Sequence, residues 1–392
     1  MIRSKKTLRG FAAVAGVAAL TLTAACGSSG NSDKKDTGGT AKSALCGKNI
    51  AFLGALTGDA GALGQNMVNG VNLALKEYNA KNADCQVNLK TFDSQGSPDK
   101  APALATQIVN DDTIFGLVGP GFSGESLATG KTFFEAGLPS ISPSATNVTI
   151  TQQGWTTWHR LIGNDDAQGS ADAKYLTTTA GAKKVYVIDD GQDYSKGLAG
   201  TVKKALGSAL VDSDQISVGQ TDMSAVVTKV KASGADAVFY GGYYTEAGLI
   251  RKALTNAGVT ATMVGADGAK DPAFIDGASK QAAEGTVFTC PCLPPTEVKG
   301  SFPADYKALH GVDPGTYSDN AFDAANILLA GIKAGKTTRA DMLTFVKGYT
   351  GEGAVGSYKF TETGELDPSA VKIWAYKVQN GEIVPVKQVP LA

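Results

Sequence analysis

Histidine is nearly missing from this chain: His159 and His310 are the only two in 392 residues. A histidine-built metal centre or acid–base couple has little to work with, so most zinc and triad chemistry is excluded. Net charge is scarce as well. Against 37 acidic side chains stand 36 basic ones, a balance of −1 that leaves no basic footprint for nucleic acid. The conspicuous apolar run, Phe11 to Leu22, falls short of the ~20 residues of a comfortable membrane-crossing helix. Disorder is excluded too, because 43% hydrophobic and 19% charged residues are the proportions of a globular chain. What is abundant is glycine, 48 residues or about 12% against a usual ~7%. That excess points to tight turns and ligand-approaching loops, not to a coiled coil or helical bundle. The length suits two domains with real cores.

The first residues read as an address. Arg3, Lys5, Lys6 and Arg9 precede the apolar run without an acid, and the run ends in Leu22-Thr23-Ala24-Ala25-Cys26. A basic start, a short apolar stretch and small residues before the break are the layout of a secretory leader. Small residues ahead of cysteine are similar to the bacterial lipobox, which implies cleavage after Ala25 and lipidation of Cys26. Residues 1–25 are then the leader and 26–45 a flexible tether, since Gly27 to Thr40 has no apolar residue. Losing the leader removes four positive charges and leaves an exported, lipid-anchored chain near −5. Export bears on the remaining cysteines, because outside the cytoplasm an even number reads as disulfides. Cys46, Cys85, Cys290 and Cys292 are the candidates. Cys46 and Cys85 stand at the starts of two expected strands and can bridge them. Cys290-Pro291-Cys292 can close on itself only as a small strained loop, and a zinc site there lacks the usual spacing and histidine.

From Asn49 onward short apolar runs alternate with amphipathic stretches. Strands are expected at 50–53, 87–92, 114–118 and 138–141, with helices at 64–81, 97–110 and 123–136 between them. The rhythm restarts with strands at 184–188 and 237–240 and helices at 195–206 and 246–257. Such alternation predicts an α/β fold of two doubly wound parallel-sheet lobes. Residues 302–310, 320–333 and 339–347 read as consecutive helices, and 371–386 as a hairpin turning on Asn380-Gly381. The expected lobes are 46–164 with 291–370 and 165–290 with 371–392, so that the chain crosses between them three times.

Gly119-Pro120-Gly121-Phe122-Ser123-Gly124 matches the dinucleotide spacing G-x-G-x-x-G between a strand and a helix. It follows the third strand, however, and no acid lies about 20 residues on to hold a ribose. Here the glycines bring backbone N–H groups of a helix start close to a small anion instead. A serine-hydrolase elbow is excluded, because position 125 is glutamate where glycine is needed. Ser142-Pro143-Ser144-Ala145-Thr146-Asn147 sets three hydroxyls in a loop at a strand's carboxyl end, where open α/β sheets bind ligands. The second series offers Tyr194, Tyr243 and Asp267 at comparable strand ends. One lobe thus suits a carboxylate and the other an ammonium, which together would clamp a zwitterion without a cofactor, metal or nucleophile–base pair.

With Ile141 to Asn147, Tyr240-Gly241-Gly242-Tyr243-Tyr244 with Glu246, Ala283-Glu284-Gly285 and the 24-residue step from Tyr243 to Asp267, residues 47–390 resemble the Leu/Ile/Val-type periplasmic binding proteins of ABC transporters. The resemblance implies a bilobal receptor, type I in its fold, that closes by hinge motion on an amino acid and delivers it to permease subunits. It implies ligand binding by Ser123, Ser144, Ala145 and Thr146 in one lobe and by Tyr194, Tyr243 and Asp267 in the other, in a monomer with no enzymatic activity. Asp267 stands where leucine-binding members have glutamate, and Leu63 near where they have an aromatic, so the amino-acid class is better supported than leucine itself. A sensor of the same fold, signalling amino acids or amides to a membrane or regulatory partner, is the alternative.

Overall fold

The computed structural model describes residues 43–391. The leader, the lipidation candidate Cys26 and all but the last residues of the expected tether lie outside them.

Five short strands build the first sheet: β1 (Asn49–Gly54), then α1 (Gly61–Lys81), β2 (Asn88–Asp93), α2 (Ala101–Val109), β3 (Ile114–Val118), α3 (Ser123–Glu135), β4 (Ser140–Ser142) and β5 (Trp158–Arg160). All pairings are parallel, in the order β2-β1-β3-β4-β5. β1 and β3 are buried throughout because helices cover both faces, which is why they read as unbroken apolar runs. β2 lies at the edge, where its lysine and threonine remain partly solvated.

The second half repeats the plan through α4 (Asp165–Lys174), β6 (Val185–Asp189), α5 (Asp193–Leu206), β7 (Leu210–Gln215), α6 (Ser224–Ser233), β8 (Ala237–Tyr240), α7 (Tyr244–Asn256), β9 (Thr262–Gly265), α8 (Pro272–Ala278), α9 (Lys280–Ala283) and β10 (Val287–Cys290). The tail follows with α10 (Phe302–His310), α11 (Ser318–Lys333), α12 (Arg339–Lys347), β11 (Thr350–Glu352), β12 (Ser357–Lys359), β13 (Ile373–Gln379) and β14 (Glu382–Val389). The second sheet runs β14-β13-β10-β9-β8-β6-β7. It is mostly parallel: β6 to β10 are parallel, and the expected hairpin, β13 and β14, adds to one edge in antiparallel fashion. The hairpin makes this possible, since Asn380 and Gly381 both take positive φ, 56° and 78°, and reverse the chain tightly.

The helix expected from Ser97 begins only at Ala101. Backbone N–H groups of Lys100 and Ala101 both donate to the Ser97 carbonyl, so Ser97-Pro98 forms a turn ahead of α2. α11 returns to the first lobe and lies along α1. The two meet at Gly70, where a Cβ would stand 1.9 Å from the Ser318 carbonyl oxygen. Cys46 is bonded to Cys85 beside the β1–β2 pair, and Cys290 to Cys292 where the chain leaves β10. Both histidines are structural. His159 is buried and its Nδ1 lies 3.2 Å from the Thr157 carbonyl, while His310 Nε2 lies 3.0 Å from that of Asn69.

Candidate functional site

The carboxyl ends of β3 and β4 face those of β6, β8 and β9 across a narrow cleft, and the lobes touch around it. Asn147 donates to the Asp193 carbonyl at 2.7 Å, Ala62 N–H to the Tyr244 hydroxyl at 3.2 Å, and Thr245 to the Asp59 carbonyl at 3.1 Å. Inside this closed cleft is a cavity of about 290 Å³ walled by Gly121, Phe122, Ser123 and Ser144 on one side and Tyr194, Tyr243, Asp267 and Gly268 on the other. Leu63, Met67 and Tyr317 complete it.

The first-lobe wall is polarised by its hydrogen bonds. Ser123 opens α3, and its hydroxyl accepts from the Asn147 N–H at 3.2 Å, which leaves its own proton to donate. The first-turn amides of α3 have no acceptor within the helix and present the positive end of its dipole. Ser144 is the opposite case: its proton goes to the Gly121 carbonyl at 2.6 Å, so a lone pair remains as an acceptor. One serine thus suits a carboxylate and the other an N–H donor.

The second-lobe wall centres on Asp267, which is 3% exposed. Tyr194 donates to one carboxylate oxygen at 2.7 Å and Tyr317 to the other at 2.5 Å. Among the described residues no basic side chain lies within 4.0 Å of it. Burial holds its carboxyl above the ordinary range, and the two tyrosine hydroxyls only partly oppose this. A buried carboxylate held by hydroxyls but lacking a cation is a receptor for one. Tyr243 closes the site with its ring, 5.2 Å from Tyr194 and 5.6 Å from Phe122.

Five of the seven expected contact residues therefore meet in one cavity. Ala145 and Thr146 do not line it. Ala145 packs with Ile150 and Trp158 and donates its N–H to the Ser142 hydroxyl at 3.0 Å. Thr146 is drawn back by Arg160, a fully buried residue of β5 that donates to the carbonyls of Thr146 and Asn147 and pairs with Glu365 at 3.2 Å. Behind this loop sits Asp165, which burial raises to about 7 with the Thr146 hydroxyl and Arg160 opposing. Gly241 and Gly242 serve packing instead of ligand approach, since a Cβ on Gly242 would strike the Tyr240 hydroxyl and the Asp190 carboxylate.

Tyr317 is the residue the sequence did not single out. It stands at φ 68°, the left-handed region, as the N-cap of α11. For a bulky side chain that costs about 1–2 kcal/mol and persists where surrounding structure enforces it. Here it sends a first-lobe hydroxyl across the cleft onto Asp267. Its only signal was position, in a Gly-Thr-Tyr-Ser stretch just before a helix.

Residues 48–382 match the family described as periplasmic binding protein. The Leu/Ile/Val-binding protein BraC3 of Rhizobium johnstonii is 32% identical over 343 residues, 86% of this chain and 92% of that protein. The leucine-specific-binding protein of Salmonella typhimurium is 30% identical, over 81% of this chain and 87% of its own. Among solved structures, the branched-chain amino acid transporter substrate-binding protein LivJ of Streptococcus pneumoniae, in complex with isoleucine, superposes with a TM-score of 0.80 at 26% identity, covering 87% of this chain and 99% of that one. The leucine-binding protein LivK of Thermotoga maritima does so with the same score at 27% identity, covering 87% and 98%. Two repeated α/β windings closed over a cleft of opposed polarity, and a family match spanning both, make this chain a member of the periplasmic binding protein family.

Proposed function

We propose that the chain is the solute receptor of an ABC-type importer and that its solute is a branched-chain or similar aliphatic amino acid. The observation that carries the reading is Asp267, a buried carboxylate without a cation, facing the donor end of α3 and Ser123 across a closed cavity. The solute's ammonium meets Asp267 and the Ser144 lone pair, its carboxylate meets Ser123 and the α3 amides, and its side chain lies on Leu63 and Met67. Charge-assisted hydrogen bonds at both ends contribute ~1.5–3 kcal/mol each in such a site. The names of the relatives favour the same class. Capture, closure and release to permease subunits need no bond-making groups.

The leader and Cys26 support a second part of the reading: a receptor anchored by lipid outside the membrane, working as a monomer on a tether shorter than the expected 26–45, since Ser43 donates to the Lys336 carbonyl at 2.8 Å and Leu45 is buried in the core. Four-cysteine pairing as drawn in the structure suits that oxidising setting. The test of function is a thermal-shift screen of residues 27–392 against all proteinogenic amino acids and short amides, followed by calorimetry. Leucine, isoleucine or valine is expected to raise the melting temperature, because a ligand of the closed form stabilises it by mass action. No shift with any aliphatic amino acid refutes the assignment. Metabolic lipid labelling that is lost in Cys26→Ser checks the anchor.

A further inference from the structure

Beyond Tyr317 lies a second and larger cavity between the lobes, partly open to solvent. Tyr317 borders both cavities and is the partition between them. The chemistry on its far side is different. Among the described residues, Lys270 is the only basic one lining this cavity. Its ammonium donates to the Thr316 hydroxyl at 3.1 Å and lies 4.2 Å from the centre of the Tyr376 ring. Among the described residues no carboxylate comes within 4.0 Å of it. An ammonium has three protons to donate, so this one is short of acceptors.

The acids that line the cavity form no close ion pair with Lys270, and each has a nearer hydrogen-bond partner. Asp271 accepts from the Ala273 N–H at 2.9 Å as the cap of α8, Asp319 from the Asn320 N–H at 2.9 Å, and Asp313 pairs with Lys307 at 2.9 Å. Asp319, Asp271 and Asp267 act on the Lys270 ammonium through space, but burial outweighs them and lowers it to about 8. Besides the polar Asn66 and Ser318, the wall has an apolar part made of residues such as Leu293, Val298 and Phe302.

We propose that this cavity is a second ligand site for an organic monocarboxylate with an apolar body. The carboxylate accepts from the Lys270 ammonium, which Thr316 orients while its own proton goes to the Lys270 carbonyl at 2.7 Å, and the body lies on Leu293, Val298 and Phe302. Lys270 belongs to the second lobe and Leu293, Val298 and Phe302 to the first, so an occupant bridges them and favours the closed arrangement on its own account. Through the shared Tyr317 wall it also couples to the first cavity, and any such coupling acts equally in both directions.

The probe is 4-phenylbutyrate, with 4-phenylbutanamide as its neutral counterpart, titrated by calorimetry and ligand-observed NMR with and without saturating leucine. The carboxylate is expected to bind saturably in both conditions, and the amide at least about tenfold more weakly, because it lacks the charge-assisted bond to Lys270. Lys270→Met should lose a similar factor while keeping leucine binding, and Val298→Trp should fill the cavity and abolish probe binding. Asp267→Asn should leave probe binding intact, which separates this site from the first one. The proposal is overturned by no saturable binding at millimolar concentration, by equal binding of acid and amide, or by displacement of the probe by leucine. Should Lys270→Met fail to fold, the acid–amide comparison and Val298→Trp decide the matter.

Discussion

The two lobes share one winding and differ in what their strand ends carry. The order β2-β1-β3-β4-β5 in the first is repeated as β7-β6-β8-β9-β10 in the second, before the hairpin extends it. The first lobe keeps an acid hidden: Glu125, on the first turn of α3, is fully buried and takes hydrogen bonds from the Ser94 hydroxyl and the Phe122 N–H. Its cleft face therefore presents hydroxyls and amides. The second lobe brings its acid forward, with Asp267 in the cavity. The same scaffold thus yields a donor surface and an acceptor surface, and the difference lies in the loops at the strand ends.

That contrast can be broken from either side. Asp267→Asn removes the second lobe's charge and should weaken amino-acid binding at least about tenfold with the fold intact; unchanged affinity by calorimetry would take Asp267 out of the site. The same residue predicts a pH effect. Burial raises its carboxyl in the free protein, so an arriving ammonium releases a proton and affinity should rise with pH through that raised range. Calorimetry in buffers of different ionisation enthalpy reads the released proton, and its absence contradicts the ammonium assignment.

Glu125→Gln tests the first lobe's hidden acid. Burial holds Glu125 at about 8 in the folded chain, against an ordinary 4.5. Between those values the folded state binds a proton that the unfolded state has lost, so stability should fall as pH rises toward 8 and level off above it. The slope for one such proton is at most about 1.4 kcal/mol per pH unit. Denaturant unfolding from pH 5 to 8 should show a flatter curve for the Gln variant, and identical curves would mean that Glu125 is ionised throughout. Ser123→Ala, which deletes one donor to the solute carboxylate, should cost about 1 kcal/mol of binding, near fivefold, and leave the pH dependence from Asp267 in place. Smallest is Tyr317→Phe. It removes only the cross-cleft hydroxyl, and a change of about twofold to fivefold is expected, read as faster release in stopped-flow fluorescence.

Much of this contrast was legible in the residues. Apolar runs such as Val185 to Ile188 fall in strands buried on both faces, and the strand ends put Ser123, Ser144, Tyr194, Tyr243 and Asp267 around one cavity. Other parts depended on distant partners. Nothing local in Ala145-Thr146 discloses that the Arg160 guanidinium, 14 residues beyond Thr146, pulls the loop back from the cavity. Nothing in Gly241-Gly242 tells packing against a tyrosine hydroxyl from closeness to a ligand. The hairpin at 371–386 was legible as part of the second lobe, but its own pattern does not say that it pairs with β10. Tyr317 was invisible because both its left-handed backbone and its partner arise only when α11 returns to the first lobe.

The meeting of α1 and α11 at Gly70 has a consequence for recognition. The atom that an added methyl group would strike belongs to Ser318, the residue next to Tyr317. The reach of the tyrosine across the cleft is thus gauged by a spacing on the far side of a helix that touches no solute. A single methyl group there would act as a shim, tilting the whole start of α11 and lifting the hydroxyl from its carboxylate. Affinity in this receptor can be tuned by the thickness of a helix contact as readily as by the groups that face the solute.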